Sequence, residues 1–179
     1  RHTVNGNAVI ALMNGSSVVS QGTISTVPLN YKAVAAGDFN QDGSEDILWR
    51  NTDGLMFVSY MDGAKEISRS GMLNISPTIK LQGVADYDGD GIDDLLVRAP
   101  SGMISALIMS TGGGYWLPLA TASSNYQVVG IGDYTGDKVN DILFKNSHTN
   151  LVTLFANPTK TTYQLLTSTN VVPLAQVIQ

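Results

Sequence analysis

The chain has 179 residues, no cysteine and a formal charge of −5, so disulfides cannot hold it together, and a basic face for nucleic acid is not expected. No apolar run approaches the roughly 20 residues of a membrane-spanning helix, so membrane insertion is not expected either. The acidity is concentrated: 12 of the 15 Asp and Glu residues fall within 38–46, 86–94 and 133–141, and three divalent cations there would turn the net charge from −5 to about +1.

In chain order, residues 1–30 read as part of a repeating unit, because Arg1-His2-Thr3-Val4-Asn5-Gly6 aligns with Arg50-Asn51-Thr52-Asp53-Gly54 with one extra residue, and Met13-Asn14-Gly15 with Met61-Asp62-Gly63. A strand over 32–37 ends in small residues and leads into the acidic segment Asp38-Phe39-Asn40-Gln41-Asp42-Gly43-Ser44-Glu45-Asp46. Strands are expected next at 47–50, 55–61 and 66–75, separated by turns such as Asn51-Thr52-Asp53-Gly54. The cycle restarts at 80–85 with the segment Asp86-Tyr87-Asp88-Gly89-Asp90-Gly91-Ile92-Asp93-Asp94, followed by strands at 95–98, 103–109 and 115–122. A third turn of the cycle has strands at 127–132, 142–145, 151–156 and 163–171 around Asp133-Tyr134-Thr135-Gly136-Asp137-Lys138-Val139-Asn140-Asp141. The acidic segments start 48 and 47 residues apart, which marks a structural repeat.

Four strands per period, with no sustained 3.6-residue periodicity, predict an all-β fold of the β-propeller type, built from four-stranded antiparallel blades with the Asp-rich loop between the first and second strands. The blades are expected at 31–78, 79–125 and 126–170, with a partial blade at 1–30 and the first strand of a next or closing blade at 171–179. Two ways of completing a ring stand open. Further blades of the same protein or a second chain supply the remainder, or the C-terminal strand closes back onto the incomplete first blade.

Oxygen-bearing side chains at positions 1, 3, 5 and 9 of a nine-residue loop, with a turn-permitting residue near position 6, can wrap a hard cation such as Ca²⁺. An EF-hand is excluded: it needs a bidentate Glu at position 12 between helices, and here position 12 is Trp49, Val97 or Phe144 inside an apolar strand. The alternative is three solvated turns without metal. Three or four carboxylates held within a few ångströms repel unless neutralised, and the pattern occurs three times in register, so the cation reading is preferred.

With strands on both sides and the last carboxylate at position 9, the segments Gly37 to Trp49, Ala85 to Val97 and Gly132 to Phe144 resemble the FG-GAP and VCBS repeats, the blades also found in integrin α-subunit propellers. The resemblance covers nearly the whole chain. It implies up to three Ca²⁺ ions held by Asp38, Asn40, Asp42 and Asp46, by Asp86, Asp88, Asp90 and Asp94, and by Asp133, Thr135, Asp137 and Asp141. Backbone carbonyls of Ser44, Ile92 and Val139 would be added at position 7. The third loop departs twice, with neutral Thr135 at position 3 and Lys138 where glycine is expected. If position 6 needs positive φ, Lys138 costs about 1 kcal/mol, so the third site should be the weakest.

Phe39, Tyr87 and Tyr134 recur at position 2, and Trp49, Val97 and Phe144 at position 12, which suits packing between blades better than ligand contact. Arg1, Arg50, Arg98 and Lys145 also recur and are expected to pair with acidic or carbonyl groups. Tyr115 and Trp116, beside Thr111-Gly112-Gly113-Gly114, break the repeat, and exposed aromatic faces on loops often hold sugar rings. Catalysis has little support: His2 and His148 lie near turns, the chain lacks thiols, and no H-E-x-x-H, G-x-S-x-G or P-loop string is present.

The resulting expectation is a non-enzymatic, calcium-stabilised recognition or adhesion module, secreted or at the cell surface, where calcium is plentiful. Its partner would be a glycan or an extracellular protein. The alternatives are the non-catalytic propeller of a secreted polysaccharide-degrading or other hydrolytic enzyme, or a structural spacer in a surface adhesin.

Overall fold

In the computed structural model the described residues are 7–24, 27–111, 113–156 and 158, together with the backbone of 164–168. Among them there is no helix; every regular element is a β-strand and every pairing is antiparallel. The segments 1–6 and 171–179, with Arg1, His2 and the expected closing strand, lie outside the described residues.

The chain divides into two compact units, one up to Ile79 and the other from Lys80. In the first, β1 (Ala8–Asn14) and β2 (Ser17–Ile24) form a hairpin. The strands β3 (Tyr31–Gly37), β4 (Asp46–Asn51), β5 (Leu55–Asp62) and β6 (Lys65–Arg69) follow as a meander, each paired with the next, and β7 (Leu73–Asn74) pairs with the start of β5. The second unit holds two meanders of four strands. One is β8 (Lys80–Ala85), β9 (Asp94–Arg98), β10 (Met103–Ile108) and β11 (Tyr115–Thr121); the other is β12 (Tyr126–Gly132), β13 (Asp141–Asn146), β14 (Val152–Ala156) and β15 (Gln164–Ser168).

The residue types assign the strands their depth. The second and third strands of each meander are apolar on both faces and buried, as with Leu48 and Trp49 in β4, Leu95, Leu96 and Val97 in β9, and Ile104, Ala106 and Ile108 in β10. Such continuous apolar runs are what a strand covered on both faces requires. One core joins Ile24, Val27, Tyr31, Trp49, Phe57 and Met61; within it Tyr31 and Phe57 have ring centroids 5.2 Å apart, and the Trp49 Nε1–H donates to Ser59 Oγ at 3.0 Å. The second unit has its own core around Tyr87, Leu96, Ile104, Ile142, Phe144 and Phe155. Each such large side chain contributes about 1.5–3 kcal/mol on full burial.

Within the second unit, neighbouring sheets meet at a small residue of a first strand. A Cβ added to Gly83 in β8 would collide with Ile131 Cδ1 in β12. All three first strands also carry a bulge at the same place, where the register shifts between Ala33 and Ala35, Leu81 and Gly83, and Val128 and Gly130. One extra residue locally sharpens the strand's twist.

One expected strand is corrected. The run 66–75 is split into β6 and β7, because Ser70 takes over the ladder with its side chain: its Oγ accepts from the Val58 N–H at 2.8 Å, while its own N–H donates to the Val58 carbonyl at 2.9 Å. Gly71 and Met72 then leave the sheet.

Two of the recurring basic residues, Arg50 and Arg98, find carbonyl partners. Arg50, near the end of β4, donates to the carbonyls of Ile75, Ser76 and Ile79 at 3.1, 2.7 and 3.0 Å. Arg98, ending β9, donates to those of Ala122, Ser123 and Tyr126. Each guanidinium thus fastens the connection that leaves its own sheet, a task suited to a planar group with five donors.

Candidate metal loops

Each acidic loop starts where a first strand ends and closes where a second strand begins, so the pairing of those strands brings position 1 near position 9. Within the loop, carboxylates accept from backbone amides, which folds the chain around its own side chains. Position 1 accepts the N–H of position 6 in every copy: Gly43 to Asp38 at 2.8 Å, Gly91 to Asp86 at 2.9 Å and Lys138 to Asp133 at 2.9 Å. Position 5 accepts the N–H of position 7: Ser44 to Asp42 and Ile92 to Asp90, both at 2.8 Å, and Val139 to Asp137 at 3.1 Å.

Position 9 is buried in all three copies, since Asp46, Asp94 and Asp141 are each 0 % exposed. Each accepts the position-2 amide, from Phe39 at 3.0 Å, Tyr87 at 2.9 Å and Tyr134 at 3.0 Å. Asp46 also takes the Met61 N–H and Asp94 the Met109 N–H, at 2.8 and 2.7 Å. This carboxylate therefore ties the loop to the third strand or the residue just beyond it.

The backbone conformation is as regular as the bonding. Position 6 has positive φ in all three copies, at 80° for Gly43, 85° for Gly91 and 69° for Lys138. So does position 4, at 62° for Gln41, 84° for Gly89 and 80° for Gly136. The sequence pointed to position 6 but missed position 4, where two of three copies carry glycine. The middle loop alone has glycine at both positions.

The middle loop is also where carboxylates converge. One oxygen from each of Asp86, Asp88 and Asp94 lies within 4.8 Å of the others, and among the described residues no other set of three Asp, Glu, His or Cys side chains is so close. Asp90 is not part of that set. In the first loop Asn40 replaces the position-3 carboxylate and its Nδ2 donates to Asp42 Oδ2 at 2.9 Å; in the third, Thr135 replaces it, and Asp133, Thr135 and Asp137 are exposed. The side chains of Ile92 and Val139 are buried, and Ser44 is half-buried.

The electrostatics match an unbalanced negative site. Burial, followed by the charges of Asp88 and Asp90, pushes the Asp94 carboxyl up to about 7 against the pull of its two amide donors. Burial and the neighbouring Asp90 and Asp86 raise Asp88, and burial with Asp42 and Asp38 raises Asp46. By contrast, amide donors led by Lys138 lower Asp133, and the Asn40 amide lowers Asp42. A hard divalent cation fits the middle loop on the chemistry of the donor set: all donors are oxygen, three are convergent carboxylates, and one is a buried acid whose ionised form lacks a positive partner.

The remaining candidates separate cleanly. Phe39 and Tyr87 at position 2 are buried, whereas Tyr134 is 44 % exposed and lies over its own first strand, with its hydroxyl 2.5 Å from where a Cβ on Gly130 would sit. Trp49, Val97 and Phe144 are buried. Tyr115 and Trp116 are 55 % and 46 % exposed on β11, an outer strand that also tolerates Pro118. His148 is exposed and its N–H donates to Asn146 in a turn.

Fold and loops together define an all-β protein of antiparallel four-stranded meanders, each carrying an acidic nine-residue loop between its first two strands. Residues 83–115 match the model of the FG-GAP repeat. The match runs from Gly83 in β8 through the middle loop, β9 and β10 to the start of β11, the copy whose carboxylates converge. No curated protein matches the chain.

Proposed function

We propose that the chain is a calcium-stabilised recognition or adhesion module built from β-propeller blades, secreted or at the cell surface, without catalytic activity of its own. The observation that carries the calcium reading is the convergence of Asp86, Asp88 and Asp94 within the very residues that match the FG-GAP repeat. The close approach of the first strands β8 and β12 supports blades arranged about a common axis, since that is where a propeller places its innermost strands. The extracellular setting is supported by the affinity range of such loops, which fill where calcium is abundant. Among the described residues no helix is long and apolar enough to cross a membrane.

Asp38, Asn40, Asp42 and Asp46, and Asp133, Thr135, Asp137 and Asp141, would form the outer two sites, weaker than the middle one because each has one fewer carboxylate. The partner is proposed to be a glycan, held by Tyr115 and Trp116, two adjacent exposed aromatics on an outer strand at positions where the outer strands of the other copies of the repeat carry none. Trp116→Ala is expected to weaken binding on a glycan array by about 1–3 kcal/mol, the scale of a lost aromatic anchor, with melting nearly unchanged. A large fall in melting temperature would instead assign Trp116 to packing. A wild-type protein without glycan signal would move the reading to protein adhesion or a spacer.

A further inference from the structure

The middle and third loops are joined. The backbone N–H and the side-chain Nδ2 of Asn140 both donate to the carbonyl oxygen of Asp86, each at 3.0 Å. Next to it the Val139 side chain is buried, and its Cγ2 would lie 3.3 Å from a Cβ placed on Gly89. Position 8 of one loop thus grips position 1 of the other, while position 7 packs against position 4.

Both ends of this link are central to their loops. Asp86 is the residue whose carboxylate gathers the Gly89 and Gly91 amides and converges with Asp88 and Asp94. Asn140 stands between Val139, whose N–H is held by Asp137, and Asp141, whose buried carboxylate holds Tyr134 and Thr135. The residue type matters: the other loops carry Glu45 and Asp93 at position 8, and an ionised carboxylate has no proton to donate to a carbonyl.

We propose that the middle and third loops bind calcium cooperatively, with Asn140 as the link, so that an ion in either loop raises the affinity of the other. This rests on the calcium reading above. An ion in the third loop orders residues 133–141, and with them the two donors of Asn140. The Asp86 peptide is then held in the orientation the middle loop uses, so the second ion meets a smaller ordering cost. Linkage requires the converse effect to be equal. Electrostatics acts in the opposite sense, because each ion reduces the negative potential felt at the other loop. Asp133 and Asp137 are exposed, so physiological salt weakens that term, whereas it leaves the direct contact in place.

The test is a calcium titration of the ¹⁵N-labelled chain in physiological salt, followed through the amide resonances of Gly43, Gly91 and Lys138. Each of these amides is bonded to the position-1 carboxylate of its own loop and so reports that loop alone. Wild type is compared with Asn140→Ala, with Asn140→Asp, which carries the residue type found at this position in the middle loop, and with Asp137→Asn, which disables the third site but keeps Asn140. All three variants are expected to weaken the calcium response of Gly91 by about fivefold or more, the lower end of ordinary coupling, with Gly43 unchanged. A Gly91 response that changes by less than about fivefold from wild type in the Asn140 variants overturns the link, since ordinary coupling begins at about that factor. A wild-type Lys138 amide that ignores calcium while Gly91 responds overturns it as well. If no amide responds in the wild type, the calcium reading itself falls, which is a different result from lost coupling.

Discussion

Gln41 and Lys138 sit in the left-handed region at φ of 62° and 69°, where the matching positions of the other loops carry glycine. A side chain there costs about 1–2 kcal/mol, and glycine gives back roughly 0.5–1 kcal/mol through the extra freedom of the unfolded chain. Gln41→Gly and Lys138→Gly are therefore each expected to gain about 0.5–1 kcal/mol in denaturant unfolding, and Gly91→Ala to lose about 0.5–1 kcal/mol by the same two terms. A stabilised Gly91→Ala protein would show that the loop backbone is not held as described. Asp94 sets the pH dependence. Its folded-state pKa lies above the unfolded value, so in the calcium-free protein its contribution is fully present below the unfolded pKa and is lost as pH rises towards about 7. Calcium takes the ionised form, so the stabilisation it adds should grow over the same window. The gap in melting temperature between calcium-loaded and metal-free protein should widen from about pH 5 to about pH 7.5. A gap independent of pH would remove Asp94 from the site.

At the scale of elements, the meanders are held to their exits by Arg50 and Arg98. Arg98 is half-buried and satisfies three carbonyls in the connection from β11 to β12. Its truncation to alanine removes the guanidinium from all three carbonyls, of which that of Ser123 still accepts the Tyr126 N–H at 3.0 Å. The expected cost is about 1.5–3 kcal/mol, the range for hydrogen bonds to a charged group. Arg98→Lys should recover only part of it, because a single ammonium cannot span acceptors set out for a fork. Equal stability of Arg98→Ala and wild type in urea would mean that the connection holds its shape without the guanidinium. The bulges in β3, β8 and β12 belong to the same scale. In β8 the bulge falls at Gly83, whose missing side chain lets Ile131 of β12 come close, so there bulge and small residue serve one packing requirement.

For the whole molecule, the expectation is that calcium is a large part of stability. A site at ten times its dissociation constant contributes RT ln 11, about 1.4 kcal/mol, and two or three filled sites about 3–4 kcal/mol, against a typical domain total of about 5–15 kcal/mol. Excess chelator should lower the melting temperature by several degrees. An unchanged melting curve in verified metal-free protein would refute the structural role of the cation. Asp94→Asn should reproduce most of the calcium dependence lost from the middle loop, since it removes one of the three convergent carboxylates.

The amino-acid sequence by itself determined the β-strand class, the period and the position of the acidic loops, because these rest on local patterns: alternating or continuous apolar runs, turn residues, and oxygen ligands at fixed spacing. It also marked Lys138 as out of place, since position 6 carries glycine in both other copies. Only the tertiary structure decided the rest. That position 4 shares the left-handed conformation was hidden by Gln41, whose strain is set by the loop as a whole. The acceptors of Arg50 and Arg98 lie 24 to 29 residues away in sequence, and no local pattern announces them. The convergence of Asp86, Asp88 and Asp94 depends on the pairing of β8 with β9, which carries Asp94 back to the start of its own loop. The hold of Asn140 on Asp86 joins residues 54 apart, and it exists because two sheets pack against each other, a relation between copies of the repeat that the repeat itself does not encode.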